Sequence, residues 1–189
     1  MRNWLARAVI GLNLCPFAKA VSVHGQIHYA VSAAHAAQDL LADLRRELLD
    51  LAASDAQRRD TTLLMAPDCL DDFLDFNDFL DDADRLLCEL DLDGVFQIAS
   101  FHPRYQFAGS GDDDISNYTN RAPYPTLHLL REASVDRAVA AFPQADAIVD
   151  HNLRTLEQLG PSGWDALGVG RTARPSASGA RVRKSRGKI

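Results

Sequence analysis

The chain has 189 residues, of which 47% are hydrophobic and 24% are charged, and its formal net charge is −6. A chain of this length buries enough apolar surface to fold as one domain without disulfides or a structural metal. No apolar run approaches the roughly 20 residues of a membrane-spanning helix, so we expect no membrane partner.

The three cysteines, Cys15, Cys69 and Cys88, are odd in number and widely spaced. This pattern fits neither a disulfide framework nor a Cys-x-x-Cys metal site. We therefore expect a protein of the reducing cytoplasm.

Charge divides the chain into a body and a tail. Residues 171–189 carry seven basic residues and no acid, so the preceding residues carry about −13. We predict a single domain over 1–168 and a basic, disordered tail over 169–189. An acidic body disfavours a nucleic-acid-binding face, which leaves only weak contacts through the tail.

Hydrophobic periodicity predicts alternating helices and strands in the first half of the chain. The expected elements are a helix over 3–13 stopped by Pro16, a strand over 26–32, a helix over 34–53, a strand over 61–65, a helix over 69–91 and a strand over 95–101. Further helices are expected over 125–132, 134–142 and 144–159, the last ending at Gly160–Pro161.

This order predicts an α/β fold with a small three-stranded sheet from a β-α-β-α-β core. The N-terminal helix and the C-terminal helices would cover the sheet. A ferredoxin-like α+β arrangement with one further strand is the alternative.

The segment 96–132 is where we expect a functional site. It contains more than 20 residues without clear periodicity, and loops of that length in compact domains are usually functional or disordered. The loop is rich in aromatic residues that can anchor it, and it follows the C-terminal end of a strand, where open α/β sheets bind ligands.

Three residues are candidates for catalysis. His102 and His128 could transfer protons, because the ordinary pKa of histidine lies near 6.5. Cys15, which precedes Pro16 at a helix end, could act as a nucleophile if a nearby cation lowered its pKa. The alternatives are a structural histidine at the strand end, a surface helix at 128–132 and a buried, unreactive thiol.

Five residues are candidates for ligand binding, because guanidinium, amide and phenol groups can hold a carboxylate or phosphate. They are Arg121, Arg131, Asn117, Asn120 and Tyr124. On the predicted helix His128, Arg131 and Glu132 would share one face. The alternative for Asn117 and Asn120 is a loop held together by its own amide–backbone hydrogen bonds.

The sequence predicts no particular cofactor. It contains no phosphate-binding loop, dinucleotide-binding glycine motif, His-Glu-x-x-His motif or nucleophile elbow. The acidic run Asp112–Asp114 does not have the spacing of a calcium loop, so no metal site is predicted there. Metal binding by His102, His128 and one of these aspartates is the weakest of three functional hypotheses.

Three strings of the sequence resemble a bacterial family catalogued as domain of unknown function fourteen-fifteen. They are LNLCPFA at 12–18, FQIASFHP at 96–103 and NRAPYPTLHLLRE at 120–132. The similarity extends over about residues 3–168. It implies a small cytoplasmic bacterial protein and supplies no activity, substrate or catalytic residue.

Two main hypotheses follow from the residues. The first is an enzyme or binding protein for a small anionic metabolite, held in a His/Arg/Asn pocket formed by 96–132. The second is a non-catalytic interaction module in which that segment is structural. They differ in geometry, because the first requires His102, Arg121, His128 and Arg131 to converge on one pocket.

Overall fold

The structure is a computed structural model, and it describes residues 1–142 and 147–171. The predicted tail lies outside these residues, except for its first positions up to Arg171. No helix in the described ranges is both long and apolar enough to cross a bilayer.

Four strands form one mixed sheet, one more than the sequence predicts. They are β1 (Ile27–Val31), β2 (Thr61–Met65), β3 (Phe96–Phe101) and β4 (Thr126–Arg131). The spatial order is β1-β2-β4-β3, with β1 parallel to β2 and β4 antiparallel to both of its neighbours. The chain order β-α-β-α-β-β differs from the β-α-β-β-α-β order of a ferredoxin-like domain.

The prediction of a helix over 125–132 is wrong, because this segment is β4. On a strand, successive side chains point to opposite faces. His128 and Arg131 therefore lie on opposite faces of the sheet, and the shared helix face predicted for them and Glu132 does not exist. The next helix, α5 (Glu132–Ala140), begins where β4 ends.

Two long helices cover one face of the sheet. They are α3 (Ala37–Ala53) and α4 (Phe73–Glu89), and both were expected from their apolar stripes. The Asp72 carboxylate caps α4 by accepting hydrogen bonds from the backbone N–H groups of Leu74 and Asp75, which sets its first residue four positions later than predicted. Leu64, Phe96, Leu127 and Leu129 point from the sheet into the core beneath these helices.

The N-terminal and C-terminal segments cover the opposite face. The N-terminal segment comprises α1 (Arg2–Trp4), a π-helix (Leu5–Ile10) and α2 (Ala18–Val23). The single helix predicted over 3–13 is therefore shorter, and most of it is π-helical. Trp4, Ala8 and Leu14 are buried here against Leu156 and Trp164.

The helix predicted to stop at Gly160–Pro161 instead continues in a new direction. It is α6 (Ile148–Ala166), and it is kinked at Gly160, whose φ of 63° lies in the left-handed region. Proline is tolerated at the first position of a helix, so Pro161 can begin the second half. Trp164 in that half packs against Tyr118, with ring centroids 5.2 Å apart.

Candidate functional site

The segment 102–125 is a structured connection between β3 and β4. It contains a 3₁₀-helix, Ile115–Thr119, and it is held together largely by its own side chains. The fully buried Asn117 amide accepts hydrogen bonds from the Phe107 N–H and the Ser110 hydroxyl, and donates to the Gly111 carbonyl. Asn120 donates to the Ser100 carbonyl at 3.2 Å.

Arg121 is also engaged within this segment. Its guanidinium donates to the Asp112 carbonyl at 2.6 Å and to the Tyr105 carbonyl at 3.3 Å, and it lies over the Tyr118 ring. These contacts fix the loop, as the structural alternative for the two asparagines anticipated, and they direct Nε and Nη2 of Arg121 to protein oxygens.

His102 is fully buried and both of its ring nitrogens have protein partners. Nδ1 accepts a hydrogen bond from the Arg104 N–H at 3.0 Å, and Nε2 lies 3.1 Å from the Leu70 carbonyl. Nε2 must therefore carry the proton, since a carbonyl can only accept. Burial lowers the pKa of this ring. The ring packs against Phe73 and Phe76 of α4.

A cavity among the described residues lies elsewhere, between the sheet and the N-terminal segment. We call it the sheet pocket; its volume is about 320 Å³. This is at the lower end of the range of small-molecule sites, about 300–1,000 Å³. Its floor is formed by strand residues: Ile27, Leu63, Ala99, Phe101, His128 and Leu130.

The walls of the sheet pocket come from the two ends of the fold. One wall is the N-terminal segment, with Trp4, Leu5, Val9, Cys15, Phe17 and Val21. The other is α5, with Val135 and Ala138, and the polar rim contains Asp60, Gln97, Arg131 and Ser134. The Trp4 indole is fixed by donating to the Arg121 carbonyl at 2.9 Å and by edge contact with Phe101.

His128 is the polar group on the pocket floor. The strand register places it between Leu63 of β2 and Ala99 of β3, and its ring centroid lies 6.1 Å from that of Phe101. Within the described residues neither ring nitrogen has a hydrogen-bond partner, and the ring remains partly exposed because it faces the cavity. Burial lowers the pKa of His128 to about 4, so the ring is neutral near pH 7.

Arg131 reaches the rim but directs its guanidinium to the other side of the sheet. There it donates to the carbonyls of Leu51 at 2.6 Å and Ser54 at 2.8 Å, at the C-terminal end of α3. Unpaired carbonyls and the negative end of a helix dipole make this a favourable place for a cation. Arg131 therefore acts as a helix cap.

Tyr124 lies in a separate, smaller cavity beside Arg2 and Gly168. The eight predicted residues thus divide into three groups. Cys15, His128 and Arg131 border the sheet pocket, Tyr124 borders the smaller cavity, and His102, Asn117, Asn120 and Arg121 hold the 102–125 segment. No group of three or more His, Cys, Asp or Glu side chains in the described ranges could hold a metal ion.

Sequence reasoning missed most of the residues that form the pocket. Trp4, Leu5 and Val9 were interpreted as part of an amphipathic helix that covers the sheet, and Phe17 and Val21, which follow Pro16, were assigned to no site. Apolar residues that line a cavity have the same spacing as apolar residues that fill a core, so no signal in the sequence distinguishes the two cases.

Comparison with known proteins places the chain in a family. The model of the family described as "protein of unknown function (DUF1415)" matches residues 1–166, which include every strand and helix given above. Neither the curated proteins nor the solved structures contain a match. Because the family model covers most of the chain, this protein belongs to the DUF1415 family.

Proposed function

We propose that this protein binds a small, largely apolar molecule in the sheet pocket. The observation that carries the proposal is the cavity itself, about 320 Å³ of mostly apolar space with an unpaired imidazole on its floor. Protein interiors are close-packed and contain few voids larger than a water molecule. A cavity of this size in a small domain therefore calls for a functional explanation.

The π-helix in the pocket wall supports the same interpretation. Leu5 and Val9, which contact the cavity, both belong to it. π-Helical turns are rare and occur frequently at functional sites. One wall of the cavity thus includes a π-helix.

The contacts favour binding over cysteine catalysis. A Cys–His pair activates its thiol by keeping an imidazolium beside a thiolate. Burial holds the pKa of His128 near 4, so this ring does not carry the charge that such a pair requires at neutral pH. Cys15 borders the pocket, and the one cation among the described lining residues, Arg131, donates to carbonyls at the end of α3.

The contacts of the two arginines do not support binding of the anionic metabolite that was expected from the sequence. Arg121 and Arg131, which were to hold the anion, donate to backbone carbonyls instead. The alternative of an interaction module agrees with the structural role of the 102–125 segment, but it leaves the cavity without a role.

Toluene is a suitable first probe, because an apolar cavity of about 150 Å³ already binds benzene. A ligand that binds only the folded protein raises its melting temperature, so toluene should do so in a concentration-dependent way. Ala99→Leu would fill the pocket floor and should abolish the shift, whereas Ala133→Leu, at an exposed position of α5, should retain it.

The cysteines provide a second, site-specific measurement. Cys15 borders the pocket, while Cys88 is exposed on α4. Toluene should slow the reaction of Cys15 with N-ethylmaleimide and leave that of Cys88 unchanged, as measured by peptide mass spectrometry. Equal rates with and without toluene, together with an unchanged melting temperature, would refute the proposal.

A further inference from the structure

The charges around the sheet pocket restrict what it can bind. Arg131 is the only cationic side chain among the described residues that border the cavity, and its guanidinium donates to the carbonyls of Leu51, Ser54 and Arg59. All three hydrogen bonds come from Nη2, and Nε is buried without a partner among the described residues; the guanidinium lies over the Phe96 ring, on the face of the sheet opposite the cavity. The pocket floor therefore offers an anion no positive charge.

The rim also carries one negative charge, that of Asp60. The Asp60 carboxylate accepts a hydrogen bond from the Ser134 hydroxyl at 2.6 Å, and no cation forms an ion pair with it among the described residues. A carboxylate or phosphate that entered the pocket would pass this group. Burial of an unpaired charge in apolar surroundings is costly in any case.

The polar groups on the pocket floor are neutral. A neutral imidazole has one donor and one acceptor, and both nitrogens of His128 are unpaired in the described structure. The hydroxyl of Thr61, also at the floor, already donates to the Leu129 carbonyl at 2.6 Å. A hydroxyl group on a ligand could donate to the unprotonated nitrogen or accept from the protonated one, without bringing a charge into the pocket.

We infer that the sheet pocket selects an uncharged amphipathic molecule, an apolar chain or ring that carries a hydroxyl group directed at His128, and that it rejects carboxylates and phosphates. This inference rests on the proposed function, since it specifies the ligand class of the same pocket. Ser134, Asp60 and Gln97 at the rim would remain in contact with water above the bound molecule.

Four monosubstituted benzenes of similar size separate the effect of head-group charge from that of apolar contact. They are toluene, benzyl alcohol, benzylamine and benzoate, each titrated against the full chain near pH 7 and followed by calorimetry and by protection of Cys15. Benzyl alcohol should bind most tightly, and benzoate at least tenfold more weakly than the alcohol. Benzoate or benzylamine binding as tightly as the alcohol would overturn the inference.

This design also distinguishes failure of the inference from failure of the proposed function. If toluene binds and benzoate binds as well as benzyl alcohol, the pocket is a ligand site but its proposed selectivity is wrong. If none of the four compounds binds or protects Cys15, both proposals are wrong.

The His128→Phe variant tests the role of the imidazole. It keeps an aromatic ring on the pocket floor and removes both nitrogens, so toluene binding should be unchanged. Benzyl alcohol should lose roughly three- to tenfold in affinity, the usual value of one neutral hydrogen bond. His128→Asn, which keeps a donor and an acceptor, should retain part of the preference for the alcohol. Unchanged alcohol affinity in His128→Phe would overturn the assignment of this residue.

Discussion

Two histidines that are equivalent candidates in the sequence differ in what their ring nitrogens contact. His102 is fully buried and bridges the Arg104 N–H and the Leu70 carbonyl, whereas His128 faces a cavity without a hydrogen-bond partner among the described residues. Leu70 has a φ of 55°, an unusual value for a leucine, and the bond from His102 helps to hold it there. His102 therefore has the properties of a structural residue and His128 those of a ligand-binding residue.

The same substitution at both positions should separate these roles. His102→Phe would leave the part-buried Leu70 carbonyl and Arg104 N–H without these partners and would remove two hydrogen bonds of the buried ring, at a cost of about 1–3 kcal/mol each. We expect its free energy of unfolding to fall by about 2–5 kcal/mol in urea titrations. His128→Phe breaks no hydrogen bond and should change stability by less than about 1 kcal/mol. Similar losses in the two variants would contradict this distinction.

At the scale of elements, the helix–strand pattern of the first half was predictable because each long helix has one apolar stripe. The segment that forms β4 could not be predicted as a strand. Its short run TLHLLR is packed on both faces and lacks the alternation of a half-exposed strand. This segment forms a strand and not a helix because it pairs with strands on both sides. β4 forms antiparallel ladders with β2 and β3, and the paired residues lie up to 69 positions apart in the chain, as between Thr61 and Leu130.

The π-helix depends on Gly11 at its C-terminal end. A Cβ atom at this position would lie 2.3 Å from the Arg7 carbonyl oxygen, so the backbone of the pocket wall would have to move. We expect Gly11→Ala to destabilise the protein by about 1–3 kcal/mol, as is usual for overpacking, and to weaken toluene binding.

Gly111→Ala is the matched control, because a Cβ at that position meets no atom within 4 Å and its φ does not lie in the left-handed region. Its unfolding midpoint and toluene affinity should equal those of the wild type. An unaffected Gly11→Ala protein would show that the π-helix accommodates a side chain and does not constrain the pocket.

At the scale of the whole molecule, the sequence identifies the polar residues of the loop but predicts neither their role nor the location of the cavity. Arginine, asparagine and histidine side chains are easily recognised in a sequence, but the structure uses Asn117, Asn120, Arg121 and His102 to hold the loop. The cavity arises where the N-terminal segment fails to fill the space above the sheet. That depends on how distant segments fit together, which no local pattern encodes.

His102 and His128 should make the stability of the whole fold depend on pH. Burial lowers the pKa of His102, and it lowers the pKa of His128 to about 4, whereas an unfolded histidine titrates near 6.5. Between these values the unfolded chain binds protons that the folded protein does not. Stability should therefore fall as the pH is lowered from about 6.5 towards 4.

The His128→Phe variant separates the contribution of His128 to this pH-dependent stability from the contribution of the carboxylate groups, which also titrate at low pH. For a pKa of about 4, His128 should account for about 2–3 kcal/mol of the stability lost between pH 7 and about 4.5, because each pKa unit corresponds to 1.36 kcal/mol. In urea titrations at the two pH values, the free energy of unfolding should fall by about 2–3 kcal/mol less in the variant than in the wild type. Parallel pH profiles for the two proteins would mean that water in the sheet pocket solvates the imidazolium, and that the pocket floor is less apolar than its lining indicates.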